Sequence, residues 1–322
     1  MHTSKKFAAA LAALALAATG TACGSDDNDS NSGAGGSSES SEPLSGKIAI
    51  DGSSTVQPFA EAAAETYNEE QPDVNITVGG AGTGDGFEKF CRGETDISDA
   101  SRPIEEDEIE ACKKGGVEYA EVHVANDGIT VVTNKETTID CLTTDQLKEI
   151  FGPDAKATKY NEIDPKLPDK DVSLFTPGSE SGTFDFFTDE INGEEGVQRE
   201  KNVQTSADDN QIATGIEGED GAMGYFGFSY YEQNQDKLNA VKIDGGEGCV
   251  EPSSQTIQDG SYKPLARPLF MYVSKKALAR PEVKGFVDYA VAQQQTIAEA
   301  SKIVPMSAEQ AGKAKQAIGG GA

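Results

Sequence analysis

Three segments of the chain combine serine or threonine hydroxyls with one or more glycines, the chemistry needed to hold a dehydrated oxyanion. They are residues 51–58 (DGSSTVQP), 79–86 (GGAGTGDG) and 177–183 (PGSESGT). In each, the glycines let a ligand approach the backbone, and the start of a following helix would supply free N–H groups. Hydroxyl residues also cap ordinary helices, so a single segment of this kind would say little. Three of them together predict an anion site.

A fourth segment, residues 96–103 (DISDASRP), adds a cation to this set. Arg102 is the only one of the five arginines that stands beside a serine-rich turn before a predicted helix. Its planar guanidinium can donate two parallel hydrogen bonds to a tetrahedral anion. The ordinary alternative is a surface arginine paired with one of the many acidic residues. If Arg102 binds the anion, it carries the only formal positive charge of the site.

The motifs of nucleotide-binding proteins and serine hydrolases are absent from the sequence. The chain has no Walker A sequence, and the glycines that begin at Gly80 do not follow the G-x-G-x-x-G spacing. Residues 178–182 resemble a nucleophile elbow but place Glu180 where the serine must stand. His2 and His123 are the only histidines, so a multi-histidine zinc centre is excluded. We therefore predict a binding protein without catalytic residues, metal or cofactor.

Composition limits the class of protein further. The chain has 322 residues, enough for about two domains, with 36% hydrophobic and 25% charged residues. This balance is too polar for several membrane spans and too apolar for a disordered chain. With 27 basic and 55 acidic residues, the formal charge is −28, which repels nucleic acid and anionic lipid. We therefore expect no nucleic-acid partner.

The elements that position these segments alternate between strands and helices, which predicts an α/β fold with mainly parallel sheets. Each of the three Ser/Gly segments follows a predicted strand, and α/β proteins bind ligands at the carboxyl ends of their strands. Pro58 suits the first turn of the helix after the first segment, and Ser54 suits its N-cap. The strands are predicted over residues 47–50, 75–78, 129–133, 172–175, 240–243 and 269–273, and the longer helices over residues 104–114, 144–151, 184–191 and 282–302.

The N-terminus has the features of an exported protein. Two lysines precede an apolar run over residues 7–18, which is too short to span a bilayer but suits a signal peptide. Small residues before Cys23 resemble a bacterial lipoprotein signal, although Gly20 stands where that signal usually has leucine. An ordinary secretory signal is the alternative. We predict a signal peptide over residues 1–22, then a lipidated Cys23 and a disordered linker over residues 23–46, which have almost no apolar side chains.

Four cysteines remain for the folded part of the chain: Cys91, Cys112, Cys141 and Cys249. An even number in an exported chain predicts two disulfides. Four cysteines allow three sets of pairings, and the sequence alone does not choose among them. We favour Cys91–Cys112 with Cys141–Cys249, because the first pair falls within one short helix–loop–helix stretch.

The four segments taken in order, DGSSTVQP, GGAGTGDGF, TDISDASRPI and TPGSESGTFDFF, resemble the phosphate-binding lipoproteins (PstS) of the phosphate ABC transporter. Residues 206–210, 221–227 and 262–270 fit as well, so the resemblance covers residues 47–310. It implies a periplasmic-binding-protein type II fold, in which two α/β lobes enclose the ligand in a cleft.

The resemblance also implies how the chain is divided and what it does. The first lobe would contain residues 47–125 and 266–322, and the second lobe residues 126–265, with two crossings of the chain between them. The implied function is the binding of inorganic phosphate outside the cytoplasm by a monomer, held to the membrane by its lipid alone, for delivery to the permease subunits of an ABC importer. The alternatives are a binding protein for sulfate or arsenate, and an exported phosphate-ester hydrolase.

Site residues follow from the resemblance by motif. Two departures from the family pattern are Ser101, where many members carry an aspartate that accepts the phosphate proton, and Pro177, where they carry an arginine. We expect Arg102 to replace that arginine. For the proton acceptor we choose Asp209, with Asp208, Asp99 and Asp185 as alternatives. The implied phosphate ligands are Ser54, Thr55, Val56, Thr83, Ser101, Arg102, Ser181, Gly182 and Thr183.

Overall fold

The computed structural model of the chain describes residues 43–179 and 181–319. The predicted signal peptide, Cys23 and nearly all of the predicted linker lie outside these residues, as does Glu180. Within the described ranges, no helix is long and apolar enough to cross a membrane. Strands and helices alternate along these residues, which confirms the α/β class.

The described residues form twelve strands and twelve α-helices. The strands are β1 (Ser45–Gly52), β2 (Asp73–Val78), β3 (Ile97–Ala100), β4 (Tyr119–Asn134), β5 (Cys141–Thr143), β6 (Ser173–Thr176), β7 (Val203–Thr205), β8 (Ala222–Gly227), β9 (Leu238–Ala240), β10 (Lys242–Asp244), β11 (Cys249–Val250) and β12 (Ala266–Ser274). The helices are α1 (Gln57–Glu70), α2 (Thr83–Cys91), α3 (Glu106–Gly115), α4 (Thr144–Phe151), α5 (Gly182–Phe187), α6 (Asp209–Gly218), α7 (Phe228–Asn234), α8 (Ser254–Gln258), α9 (Lys275–Leu278), α10 (Pro281–Ala292), α11 (Gln294–Ala300) and α12 (Ala308–Gly319).

The principal sheet has the strand order β2-β1-β3-β12-β4-β8-β6-β7, and β9 pairs with β4. Its outer parts are parallel: β1 pairs with β2 and β3, and β6 pairs with β7 and β8. The central strands β12 and β4 are antiparallel to their neighbours. The prediction of mainly parallel sheets is therefore wrong for the centre, because there the chain crosses the molecule along β4 and returns along β12, without a crossover helix.

Strand β4 belongs to both halves of the molecule. It has 16 residues, pairs with β12 as far as Gly128, and pairs with β8 from Ile129 onward. Two large apolar cores lie on either side of this change of partner, and they define a first and a second lobe. The first core includes Ile48, Phe59, Val124, Met271 and Phe286, and the second includes Leu147, Phe151, Leu174, Phe187 and Tyr225.

Both favoured disulfides are present, so the predicted pairing is confirmed. Cys91–Cys112 joins α2 to α3, and Cys141–Cys249 joins β5 to β11 in a small sheet of order β11-β10-β5. The strand predicted over residues 240–243 is interrupted at Val241, because the chain there leaves β4 and begins to pair with β5. The helix predicted over residues 282–302 is two helices, with a break at Gln293.

Candidate functional site

A cavity of about 610 Å³ lies between the lobes, and all four segments selected from the sequence contribute to its wall. Six of the nine predicted ligands line it: Ser54, Thr55, Thr83, Ser101, Arg102 and Gly182. The other three, Val56, Ser181 and Thr183, are sequence neighbours of lining residues but are not in the wall. Asp209, the chosen proton acceptor, is not in the wall either.

The first segment forms a turn between β1 and α1. The N-cap of α1 is Val56 and has no side-chain capping bond, so Ser54 is not the N-cap that the sequence suggested. The hydroxyl of Ser54 therefore stays available at the cavity. Val56 is fully buried, and its N–H donates to Ser53 O at 3.1 Å, within the turn. Ser53 N in turn donates to Asp99 O at 2.9 Å, which fixes the turn against β3.

The second and fourth segments meet through their hydroxyl groups. Thr83 Oγ1 lies 3.2 Å from Ser101 Oγ and accepts a hydrogen bond from Ser101 N at 3.3 Å. The carboxylate of Asp51 holds the glycine-rich loop in place, because it accepts from Gly52 N at 2.9 Å and from Ala81 N at 3.1 Å. Burial raises the pKa of Asp51, but hydrogen bonds from Lys89 and these N–H groups outweigh it and hold the pKa below its usual value.

The third segment brings the second lobe against the first. Ser181 is the N-cap of α5, and its Oγ accepts from Thr183 N at 3.3 Å. Gly182 faces the first segment so closely that a Cβ there would lie 2.8 Å from Thr55 Oγ1 and 3.3 Å from Ser54 Oγ. The loops of the two lobes are thus in contact, and a methyl group at this position would have to displace the Thr55 hydroxyl.

Arg102 lines the cavity, but its guanidinium is already paired. Nη1 and Nη2 donate to the two carboxylate oxygens of Glu108 at 2.9 and 2.8 Å, and Nε lies 3.2 Å from Glu105. These contacts raise the pKa of the Arg102 guanidinium, and the hydrogen bond to Glu108 has the largest effect. The two carboxylates compensate most of its charge, and its side chain is 35% exposed.

A second arginine, Arg267 at the start of β12, also lines the cavity. The expectation that Arg102 is the only positive charge there is therefore wrong. Arg267 Nε donates to Asp127 Oδ2 at 3.2 Å, Nη2 donates to Thr55 Oγ1 at 2.9 Å, and the guanidinium stacks on Phe186 at 3.7 Å. These two bonds use two of its five N–H donors, which leaves donors for an anion.

Sequence reasoning missed Arg267 because its contacts are far away in the chain. One signal was present: the segment 262–270 belonged to the PstS resemblance, and it repeats the Arg-Pro pair found at Arg102. The side chain of Arg267 is 17% exposed, half the exposed fraction of Arg102. Burial lowers the pKa of its guanidinium, opposed by Asp127, and an arginine stays charged under such a shift.

Several carboxylates face the same cavity. Burial raises the pKa of Asp185, and Glu195 adds to this while Arg267 opposes it. Burial and Asp189 likewise raise the pKa of Glu190 against the influence of Arg267. Asp209 has its pKa raised to about 6 by burial and by Asp208, but it stands away from the wall. Among the described residues, no group of His, Cys, Asp and Glu could hold a metal ion.

One carboxyl lies behind the first segment. Asp99, in β3, is fully buried, and neither of its oxygens has a hydrogen-bond partner within the described part of the chain. Burial, and secondarily the charge of Asp51, raise its pKa well above the usual value. This raised pKa favours the protonated form of Asp99, and the residue does not line the cavity.

Comparison with known proteins agrees with these features. The chain matches the model of the PBP superfamily domain over residues 37–294. Two lobes, a cavity between them and this match define the class as a PBP-type binding protein. Phosphate-binding protein PstS of Staphylococcus saprophyticus is 42% identical over 246 residues, 76% of this chain and 74% of that protein. Protein SphX of Synechococcus elongatus is 41% identical over 265 residues, 81% of this chain and 78% of that protein. The chain belongs to the PstS family of phosphate-binding proteins.

Solved structures confirm the two-lobe fold. The crystal structure of a possible phosphate-binding protein from Planctomyces limnophilus has a TM-score of 0.81 and 40% identity, and the match covers 86% of this chain and 99% of that one. A protein from Clostridium perfringens whose crystal structure contains bound phosphate has a TM-score of 0.56 and 29% identity, covering 81% of this chain and 100% of that one.

Proposed function

We propose that this protein binds inorganic phosphate outside the cytoplasm and delivers it to the permease subunits of an ABC importer. The observation that carries the proposal is the position of Arg267, which lines the interlobe cavity beside the hydroxyl of Thr55. A guanidinium with hydroxyl groups around it suits a tetrahedral oxyanion, because charge-assisted bonds are about twice as strong as neutral ones. The relatives named above support phosphate as that anion.

The neutral donors complete the proposed site. Ser54, Thr55, Thr83 and Ser101 present hydroxyl groups to the cavity, and Gly182 allows the second lobe to approach them. The remaining predicted ligands, Val56, Ser181 and Thr183, would then act by shaping the turns on either side of the cleft. Arg102 supports the site from the first lobe, with its charge largely balanced by Glu108.

We propose Asp185 as the acceptor of the phosphate proton, in place of Asp209. Asp185 lines the cavity and Asp209 does not. Near neutral pH phosphate still carries a proton and sulfate does not, so a carboxylate bonds to the first and repels the second. A proton acceptor therefore distinguishes phosphate from sulfate. It does not distinguish phosphate from arsenate, because arsenate carries a proton as phosphate does.

Calorimetric titration of the Cys23→Ala protein with phosphate, sulfate and arsenate tests the function. We expect phosphate to bind, arsenate to bind more weakly and sulfate to bind weakest. Binding of sulfate alone would show that this is a binding protein for a different oxyanion. Release of inorganic phosphate from a generic ester would show instead that the protein is a hydrolase and not a transport protein.

The proposed anchoring depends on the lipid of Cys23, which would hold the folded part through the linker of residues 23–46. We propose further that the lobes divide at residues 125/126 and 265/266 and that the protein is a monomer. Cys23→Ala is expected to fold and to leave the membrane fraction, because a lipid anchor needs its attachment residue. Unchanged membrane retention of this variant would refute the anchor.

A further inference from the structure

Residues 304–310, which lead into α12 and include its first turn, contact both lobes; we call them the hinge brace. Val304 packs in the core of the second lobe, whereas Met306 packs in the core of the first. Helix α12, which begins at Ala308, packs in the first core through Ala314. The chain crosses between the lobes at β4 and β12, the two crossings that the family resemblance implies. The hinge brace is a third place at which the lobes are joined, through packing contacts with both.

The hinge brace is bonded to β4 close to the point where this strand changes partners. Asn126 N donates to Val304 O at 2.8 Å, and Val304 N donates to Asn126 O at 2.9 Å. The side-chain Nδ2 of Asn126 donates to Pro305 O at 3.3 Å and to Gln310 Oε1 at 3.2 Å. Asn126 is 2% exposed and lies two residues before Gly128, the last residue of β4 that pairs with β12. These bonds fix the hinge brace to β4 beside the point where this strand passes from one lobe to the other.

Gln310 connects the first lobe to a helix of the second. Its Nε2 donates to Asn126 Oδ1 at 3.0 Å and to Gln258 O at 2.8 Å, at the end of α8. Its Oε1 also accepts from Ser307 N at 2.8 Å, which caps α12. Gln258 returns a bond from Nε2 to Pro305 O at 2.9 Å. One hydrogen of the Gln310 amide therefore bonds to α8 of the second lobe, and the other bonds to β4, the strand that both lobes share.

We propose that Gln310 is a positioning residue that holds the lobes in the closed arrangement, through Gln258 and Asn126. Neither Gln310 nor these partners line the cavity, so the effect reaches the ligand only through the angle between the lobes. The bonds of Gln310 are made while Gly182 and Thr55 are in contact. Their loss disfavours this closed state, and the affinity for a ligand that requires closure falls by the same factor.

Gln310→Glu is the informative variant. Its carboxylate still accepts from Ser307 N, so the cap of α12 remains, but the Nε2 donor is lost and an oxygen faces Gln258 O. Gln316→Glu is the matched control, because it makes the same charge change on an exposed residue of the same helix. Gln258→Ala is a milder second variant that removes only the bond to Pro305 O.

Two measurements test the proposal: small-angle X-ray scattering of the ligand-free Cys23→Ala protein, and the dissociation rate and affinity for inorganic phosphate. For Gln310→Glu we expect a larger radius of gyration than in the parent, faster phosphate release and about fivefold weaker binding. Gln258→Ala should change in the same direction by less, and Gln316→Glu should match the parent.

Equal scattering and equal release rates in Gln310→Glu and Gln316→Glu would overturn the proposal. A lower melting temperature without either change would also overturn it, because Gln310 would then serve stability alone. The phosphate readout rests on the proposed function. If the parent binds no phosphate, that function is refuted, and the scattering difference between Gln310→Glu and Gln316→Glu decides the role of the hinge brace.

Discussion

Arg267 Nη2 donates a hydrogen bond of 2.9 Å to Thr55 Oγ1, which lies 212 residues earlier in the chain. The same guanidinium stacks on Phe186 of the second lobe at 3.7 Å and pairs with Asp127 at 3.2 Å. Arg267 therefore contacts the first lobe, the second lobe and the strand that joins them. A positive charge in this position can bind an anion in the cleft while its side chain contacts both sides of the closed cleft.

Arg267→Ala is expected to weaken phosphate binding by about 3 kcal/mol, roughly a hundredfold, because it removes a charged donor from the cleft. Arg267→Lys should recover part of the loss, since a point charge keeps the pair with Asp127 but cannot span two oxygens. Arg102→Ala should cost about tenfold or less, because Glu108 already compensates its charge. Calorimetry measures all three, with Arg92→Ala as an exposed control. A larger loss in Arg102→Ala than in Arg267→Ala would return the main role to Arg102.

Gly182→Ala is expected to weaken phosphate binding at least about tenfold while leaving the melting temperature of the ligand-free protein nearly unchanged. The added methyl would lie 2.8 Å from Thr55 Oγ1, so it would displace the hydroxyl that now accepts a hydrogen bond from Arg267. Gly218→Ala is the control, because the same methyl at that exposed position has no atom within 4 Å and does not reach the cavity. Parental affinity in Gly182→Ala would mean that contact between these loops is not needed for binding.

Asp185→Asn is expected to narrow the ratio of phosphate to sulfate affinity by about tenfold, because the amide no longer repels sulfate. Competition titration with both anions at neutral pH measures the ratio. Asp73→Asn, an equally conservative change at an exposed acid outside the cavity wall, should leave it unchanged. If Asp185→Asn keeps the parental ratio, a different group accepts the phosphate proton.

Asp99→Asn is expected to raise the free energy of unfolding at neutral pH, and the gain should grow with pH. The pKa of Asp99 is raised in the folded state, so the folded protein retains a proton that the unfolded chain releases above about pH 4. The parent then loses about 1.4 kcal/mol per pH unit until the folded pKa is reached, and the variant does not. Urea unfolding between pH 4 and 8 measures this, with the exposed Asp73→Asn as control. Parallel pH profiles for parent and Asp99→Asn would refute the buried neutral acid.

The local parts of the site could be predicted from the sequence. Each loop lies between a strand and a helix that its own neighbours determine, so the segments that contain Thr83 and Gly182 were found from glycine and hydroxyl spacing. The two residues themselves were assigned through the PstS resemblance. Ser181 acts as an N-cap for the same local reason. The disulfide pairing was also predicted correctly, because Cys91 and Cys112 stand only 21 residues apart and this local pair leaves the other two cysteines for each other.

The non-local parts could not be predicted. Arg267 reaches Thr55 only because β12 returns from the second lobe to lie beside β3 and β4, and no local pattern records this path. The antiparallel centre of the sheet was missed for the same reason. Asp209 begins α6 in the segment Ser-Ala-Asp-Asp, which belongs to the PstS resemblance, but the position of that helix in the second lobe keeps it from the cavity wall.

The path of the chain also bears on the order in which the protein assembles. The first core needs Ile48 and Phe59 from the early chain and Met271 and Phe286 from the late chain. The second core comes from one continuous stretch, residues 129–265, apart from Val304. A polypeptide that emerges N-terminus first can therefore complete the second core while β3 still lacks its partner β12. Ile48 and Phe59, the earliest of these core residues in the chain, therefore have to wait longest for their final neighbours.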